Sequence, residues 1–215
     1  EGGHITYMRT DAVTLSNEAL EATRLVIAGR YGKNYLPEQP RRYKTRSKNA
    51  QEAHEAIRPT DPARLAADIS LPSDEARLYE LVWKRMLASQ MTDALWDATT
   101  VEIGADSVKT PTQYEFRATG AVLKFPGFRR LYMEDKDDSA EDAEDTSPLP
   151  DLVEGEQVLC LGLKPEQNFT TPPPRFTEAT LVRDLEEQGI GRPSTYAPTI
   201  ATIMDRDYVR KDRGR

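Results

Sequence analysis

The sequence predicts an α+β protein of more than one domain, and three observations carry that prediction. Apolar residues recur at helical spacing up to about residue 94, give way to strand-like alternation of β-branched and aromatic residues, and return to helical spacing after residue 177. The expected divisions are residues 1–94 as a helical domain and residues 95–165 as a small β-rich hinge or arch domain interrupted by an acidic loop at 134–147. Residues 166–215 then read as a truncated helix-turn-helix or winged-helix-like segment. At 215 residues the chain has room for such a division, since a domain takes roughly 100–200 residues.

Each element has a local reason. Ser16 precedes apolar positions Ala19, Leu20, Ala22, Leu25, Val26, Ile27 and Ala28, with Gly29 and Gly32 at the end, which predicts a helix over 17–30. Residues 35–47 hold Pro37, Pro40 and clustered Arg and Lys without periodicity, and so read as an exposed basic loop. A short helix is expected over 49–57, stopped by Arg58-Pro59 because proline pushes the preceding residue out of helical geometry. Residues 61–67 add a turn or two, and Ser73 is expected to cap a long helix buried through Ala76, Leu78, Leu81, Val82, Met86 and Leu87.

Between residues 99 and 131, alternating or short apolar runs broken by Gly104, Pro111 and Gly120 predict strands, and residues 157–161 read as a further partner strand. Thr177 then caps a helix over 178–188 that ends at Gly189. After a Gly-Arg-Pro turn, Ser194 or Thr195 caps a second helix running to Asp205, and residues 208–210 look like the start of a strand.

Composition excludes several classes. No apolar stretch approaches the ~18 residues of a spanning helix. The single cysteine, Cys160, has no intrachain disulfide partner, and two histidines with one cysteine do not make an ordinary structural zinc site. These features suit a reducing cytoplasm. The net charge of −7 looks unfavourable for a nucleic-acid partner until it is resolved along the chain. Eight carboxylates between Glu134 and Asp145 stand against Lys136 alone, and this window accounts for the whole of the −7. Between Arg24 and Lys48, eight cationic residues face only Glu38, a local +7. Screening over about 8 Å at physiological salt insulates that basic stretch from a distant acidic loop.

Three segments combine residue types that handle phosphate. In Ile5-Thr6-Tyr7-Met8-Arg9-Thr10-Asp11, extended geometry places Tyr7 and Arg9 on one face, where both reach one phosphodiester. A tyrosyl oxygen attacking phosphorus conserves the ester for resealing, and an always-charged guanidinium offsets charge on the phosphate oxygens. On a helix, His54 and Arg58 would lean toward one anion, and His54 could also move a proton. In Gly189-Ile190-Gly191-Arg192-Pro193-Ser194-Thr195-Tyr196, two glycines, a helix start, the hydroxyls of Ser194 and Thr195, and Arg192 are suited to a phosphate backbone. Taken singly, each has a plainer alternative: a strand tyrosine beside a surface arginine, a histidine bonded to a nearby carboxylate, a glycine cap followed by an N-cap.

Taken together, and in this order across nearly the whole chain, they resemble the type IA DNA topoisomerases in their bacterial branch. Residues 5–11 are similar to that family's nucleophile motif, 53–59 to its histidine motif, and 189–197 to the signature of its central DNA-binding helices. Ala12 departs from the pattern, which leads one to expect a small hydroxyl residue there.

The resemblance implies that Tyr7 attacks one DNA strand and becomes linked to its 5′-phosphate, that Arg9 stabilises the scissile phosphate, and that His54 contacts a nearby nucleotide. Arg192, Ser194 and Thr195 would hold the strand backbone. A gate would open for strand passage, relaxing negatively supercoiled DNA without ATP. Magnesium would be bound by an acidic domain outside this chain, so no metal site is expected here and these 215 residues are expected to be inactive alone. The implied protein is a monomer acting on single-stranded segments of DNA in the cytoplasm, beside the nucleoid. Two other classes stay open at this point: a winged-helix DNA-binding module without chemistry, and a tyrosine recombinase-like transferase forming a 3′-phosphate link.

Overall fold

A computed structural model describes residues 3–44, 54–107, 109–133 and 149–212. The last three residues of the expected basic loop, 45–47, and the whole of the acidic loop expected at 134–147 therefore lie outside the described residues. Over the described residues the chain is a mixture of helices and one small antiparallel sheet. It divides into two compact units, one within Glu1–Asp93, Gly127–Asp135 and Arg175–Arg215, the other within Ala94–Pro126 and Lys136–Pro174.

In the first unit, helix α1 spans Asn17–Tyr31. It starts where expected, because the Ser16 hydroxyl accepts the Ala19 amide at 3.2 Å and satisfies one of the unpaired donors of the first turn. It runs through Gly29 and stops at Gly32, whose φ of 99° suits a residue without Cβ and whose amide bonds the Ala28 carbonyl. Its buried face is Ala19, Leu20, Thr23 and Ile27, while Leu25 faces solvent.

Helix α2, Ser73–Ser89, has Ser73 as its first turn rather than its cap, which is Pro72. The buried stripe is Tyr79, Trp83, Met86 and Leu87, whereas Leu78 and Leu81 are half exposed, contrary to the sequence expectation. The aromatic face wins because both rings also bond the preceding loop. Tyr79 Oη donates to the Arg64 carbonyl at 3.0 Å, and Trp83 Nε1 donates to the Pro62 carbonyl at 2.8 Å. Burying rings of this size contributes about 1.5–3 kcal/mol each, and their polar tips find partners without leaving the core. These two bonds fix the 61–65 loop on α2, and with it the segment immediately before.

Past the end of α2, Gln90 is fully buried and its carboxamide brackets the backbone of Arg41, accepting its amide and donating to its carbonyl at 3.1 Å each. Tyr43 Oη adds a 2.6 Å bond to the Ser89 carbonyl, and Arg41 pairs with Asp93 at 2.9 Å. The described part of the basic loop is thereby pinned to α2.

Helices α3, Glu178–Glu187, and α4, Tyr196–Asp205, flank a short turn as expected. Thr177 caps α3, its hydroxyl accepting the Thr180 amide at 3.1 Å while the Thr180 hydroxyl accepts the Thr177 amide at 2.8 Å. Residues 206–209 form turns and bends, with Asp207 at a φ of 55°, and the strand expected at 208–210 does not form. No partner strand is at hand among the described residues, and a lone strand leaves its ladder groups unpaired.

The second unit is a long hairpin of β1, Leu95–Asp106, and β2, Gln113–Phe125. Ile103 opposes Phe116 and Val101 opposes Ala118 in its antiparallel register, and Glu102 pairs with Arg117 across the strands at 2.6 Å. The strand expected at 157–161 does not form, and Leu159, Leu161 and Leu163 stand exposed in alternation. The alternation is real, but a strand needs a neighbour to bond, and the described sheet has only two members.

Candidate functional site

Residues 4–14 and 54–60 meet through the backbone. Ile5 bridges Pro59 in antiparallel fashion, the Thr6 amide bonds the Arg58 carbonyl at 2.9 Å, and the Thr60 amide bonds the His4 carbonyl at 3.0 Å. The Ala56 amide reaches the Thr14 carbonyl at 2.8 Å. Thr6 adds a side-chain stitch, its hydroxyl donating to the Ala56 carbonyl at 2.7 Å and accepting the Arg58 amide at 3.0 Å. This pairing replaces the helix expected over 49–57: residues 54–57 are not helical, and 49–53 lie outside the described residues. The Ala56 amide is spent on the Thr14 carbonyl rather than on an i−4 carbonyl, and Pro59 disfavours helix at Arg58.

Tyr7 projects from this junction and is 75% exposed. Its ring centroid is 6.1 Å from that of His54, with the planes inclined by 31°. Two of the residues predicted from sequence thus become neighbours, although they lie 47 positions apart. Arg9 forms a two-point fork with Asp11, Nε to Oδ1 and Nη2 to Oδ2, both 3.3 Å. The hydrogen bond from Arg9 is the chief reason the Asp11 carboxyl is held below the ordinary carboxylate value, outweighing burial, and His54 acts in the same direction. The same pairing raises the Arg9 guanidinium further, and the Tyr7 phenol lies close enough to contribute.

Arg58 is committed elsewhere. Its Nε and Nη2 bond Glu55 at 2.9 Å each, its Nη1 donates to the Pro59 carbonyl, and its side chain is 15% exposed. Glu55 also accepts the Ser16 amide at 2.9 Å, tying this loop to the start of α1. Burial pushes the Glu55 carboxyl up, but Arg58 and the Ser16 amide together outweigh that and hold it below its ordinary value. His54 and Arg58 therefore do not share one helical face.

A cleft of about 770 Å³ opens beside Arg9 and Asp11, with Arg41, Lys44 and Arg85 among its cationic lining and Met86, Met91 and Phe128 among its apolar lining. Glu186, near the end of α3, lines the same cleft, and the charge of Asp11 reaches Tyr196 at the start of α4. The third sequence motif is thus brought toward the first. Within it, Gly189 and Gly191 have φ of 72° and 78°, and a Cβ on Gly191 would lie 3.2 Å from Thr195 Oγ1 and from the Tyr196 ring. The Thr195 hydroxyl accepts the Arg192 amide at 2.8 Å, so it holds the turn, while the side chains of Arg192 and Ser194 are presented to solvent.

Sequence reading passed over Thr6, Asp11 and Glu55. Asp11 was within reach, since Tyr7, Arg9 and Asp11 alternate by two. Nothing local marks Thr6, whose partners are 50 and 52 residues away. Among the described residues no three His, Cys, Asp or Glu side chains converge as metal ligands would. No helix among them is long and apolar enough to cross a membrane.

The family model described as DNA topoisomerase matches residues 1–215. The DNA topoisomerase 1 of Xylella fastidiosa strain Temecula1 is 50% identical over 210 residues, 96% of this chain and 25% of the relative. That of Streptomyces coelicolor is 48% identical over 213 residues, 98% of this chain and 22% of the relative. The crystal structure of full-length topoisomerase I from Thermotoga maritima superimposes with a TM-score of 0.74 at 34% identity, covering 98% of this chain and 32% of that one. The chain spans about a quarter of the length of the curated relatives it matches.

Proposed function

Because this chain belongs to the DNA topoisomerase family, in its bacterial type IA branch, we propose that it is the part of such an enzyme that supplies the attacking tyrosine and some of the strand-binding surface. The observation that carries the proposal is the placement of exposed Tyr7 beside His54 and Arg9 on a segment stitched to residues 56–60. Tyr7 Oη attacks a backbone phosphorus, the bond to the 3′ oxygen breaks, and the strand stays attached through its 5′-phosphate. The phenol proton is lost and the leaving 3′ oxygen gains one, so the reverse attack restores the strand without an external energy source. Arg9 offsets charge on the phosphate oxygens, and His54 contacts the adjoining nucleotide.

Arg192 and Ser194 meet the strand backbone from the α3–α4 turn, with Thr195 shaping that turn. Arg58 reaches a phosphate only by exchanging Glu55. We further propose relaxation of negatively supercoiled DNA through a gate, a monomeric enzyme in the cytoplasm beside its DNA, and magnesium ligands outside these 215 residues. On that basis the isolated chain is inactive; relaxation of a plasmid by it would overturn this point.

A denaturing-gel assay with a labelled single-stranded oligonucleotide tests the core of the proposal, comparing the full-length protein with its Tyr7→Phe variant. The expected result is an adduct on the DNA 5′-phosphate that disappears with Tyr7→Phe. If the full-length protein binds DNA but yields no adduct, the chain is a DNA-binding module without chemistry. A 3′-phosphate adduct indicates the recombinase-like alternative.

A further inference from the structure

We propose that Asp11 is a positioning residue for Arg9, holding its guanidinium by one edge so that the remaining N–H donors are set for a phosphate before DNA arrives. This rests on the reading of Tyr7 and Arg9 given above. Asp11 takes the Nε and Nη2 donors at 3.3 Å each, which leaves three of the five guanidinium N–H groups for phosphate oxygens. The carboxylate is itself well placed to act as a support. Its side chain is only 10% exposed, and it sits in a turn closed by the Ala12 amide on the Arg9 carbonyl at 3.3 Å.

An arginine without such a partner loses considerable rotamer freedom when it grips a phosphate, and that loss falls on the reacting complex. Asp11 also has an opposing effect, because its negative charge lies close to where the phosphate must sit. Removing it therefore leaves DNA affinity unchanged or tighter while cleavage slows. A residue needed only to maintain the fold shows no such split.

The experiment measures single-turnover adduct formation and oligonucleotide affinity in the full-length protein for Asp11→Asn, Arg9→Ala and the double variant. The expected result is that Asp11→Asn slows adduct formation at saturating DNA by about ten- to a hundredfold, with an equal or lower Kd. In the Arg9→Ala background, Asp11→Asn should add less than about a twofold further loss, since Asp11 acts through Arg9. Equal slowing in both backgrounds, weakened DNA binding in step with the rate, or no change on Asp11→Asn each overturns the proposal. Should Asp11→Asn not fold, Asp11→Glu serves in its place: it keeps the charge but displaces the fork, and slowed cleavage at unchanged affinity upholds the proposal while unchanged cleavage overturns it. Absence of an adduct from the unaltered full-length protein counts instead against the assignment of Tyr7.

Discussion

Replacing Thr6 by valine tests whether one hydroxyl holds the tyrosine segment in place. The substitution keeps the β-branched shape and extended preference of threonine and deletes only the oxygen. Two hydrogen bonds are lost, one to the Ala56 carbonyl at 2.7 Å and one from the Arg58 amide at 3.0 Å, and both backbone groups are left in a partly buried seam. Each net bond contributes ~0.5–1.5 kcal/mol, and an unsatisfied partner adds to that, so the local penalty is about 2 kcal/mol. At 1.4 kcal/mol per decade this is an approximately 30-fold shift in the opening equilibrium.

The Thr60 amide is a clean reporter, because its own bond to the His4 carbonyl is untouched by the substitution. Hydrogen exchange at Thr60 in the full-length protein should therefore accelerate by about 30-fold in Thr6→Val and by far less in Thr6→Ser, which keeps the hydroxyl. Adduct formation should fall in the same order. Unchanged exchange at Thr60, or equal acceleration in the two variants, would refute the argument that the hydroxyl is the stitch.

Three further outcomes follow from other parts of the site. Gly191→Ala places a Cβ at a φ of 78° and 3.2 Å from Thr195 Oγ1; the turn should lose ~1–2 kcal/mol, read as faster exchange of the Thr195 amide together with weaker DNA binding. Glu55 is held below its ordinary value of 4.5, so its stabilising effect is complete above that value and is lost as pH falls through the lower folded value. The stability gap between the unaltered protein and Glu55→Gln, measured by urea denaturation, should therefore be constant near neutral pH and close only under acid conditions. Arg192→Ala should weaken single-stranded DNA binding and reduce the slope of log affinity against log salt by about 0.7, with salt titration by fluorescence anisotropy as the check.

Where a residue's state depends on its near neighbours in sequence, reading the chain was sufficient. The cap at Ser16, the cap at Thr177 and the glycine turn at 189–191 all follow from side chains within a few positions of one another. The residue types of Tyr7, Arg9 and Arg192 were equally visible, because a phenol and always-charged guanidiniums need no tertiary structure to be recognised. Reading failed where a partner is distant or missing. Residues 54–57 are amphipathic enough for helix but pair instead with residues 6 and 14, and residues 157–161 alternate like a strand but lack a neighbour among the described residues.

Sequence alone thus determined the sites of local caps and turns, the inventory of phenol, hydroxyl and cationic groups and the resemblance to one enzyme family. Tertiary structure decided which of those groups share a site. It placed His54 against Tyr7, committed Arg58 to Glu55, gave Arg9 its carboxylate partner, and selected the aromatic face of α2 over the leucines for burial. The physical reason is that caps and turns are satisfied within a few residues, whereas buried donors and apolar faces take whichever partner the folded chain delivers, and that partner can lie 50 residues away.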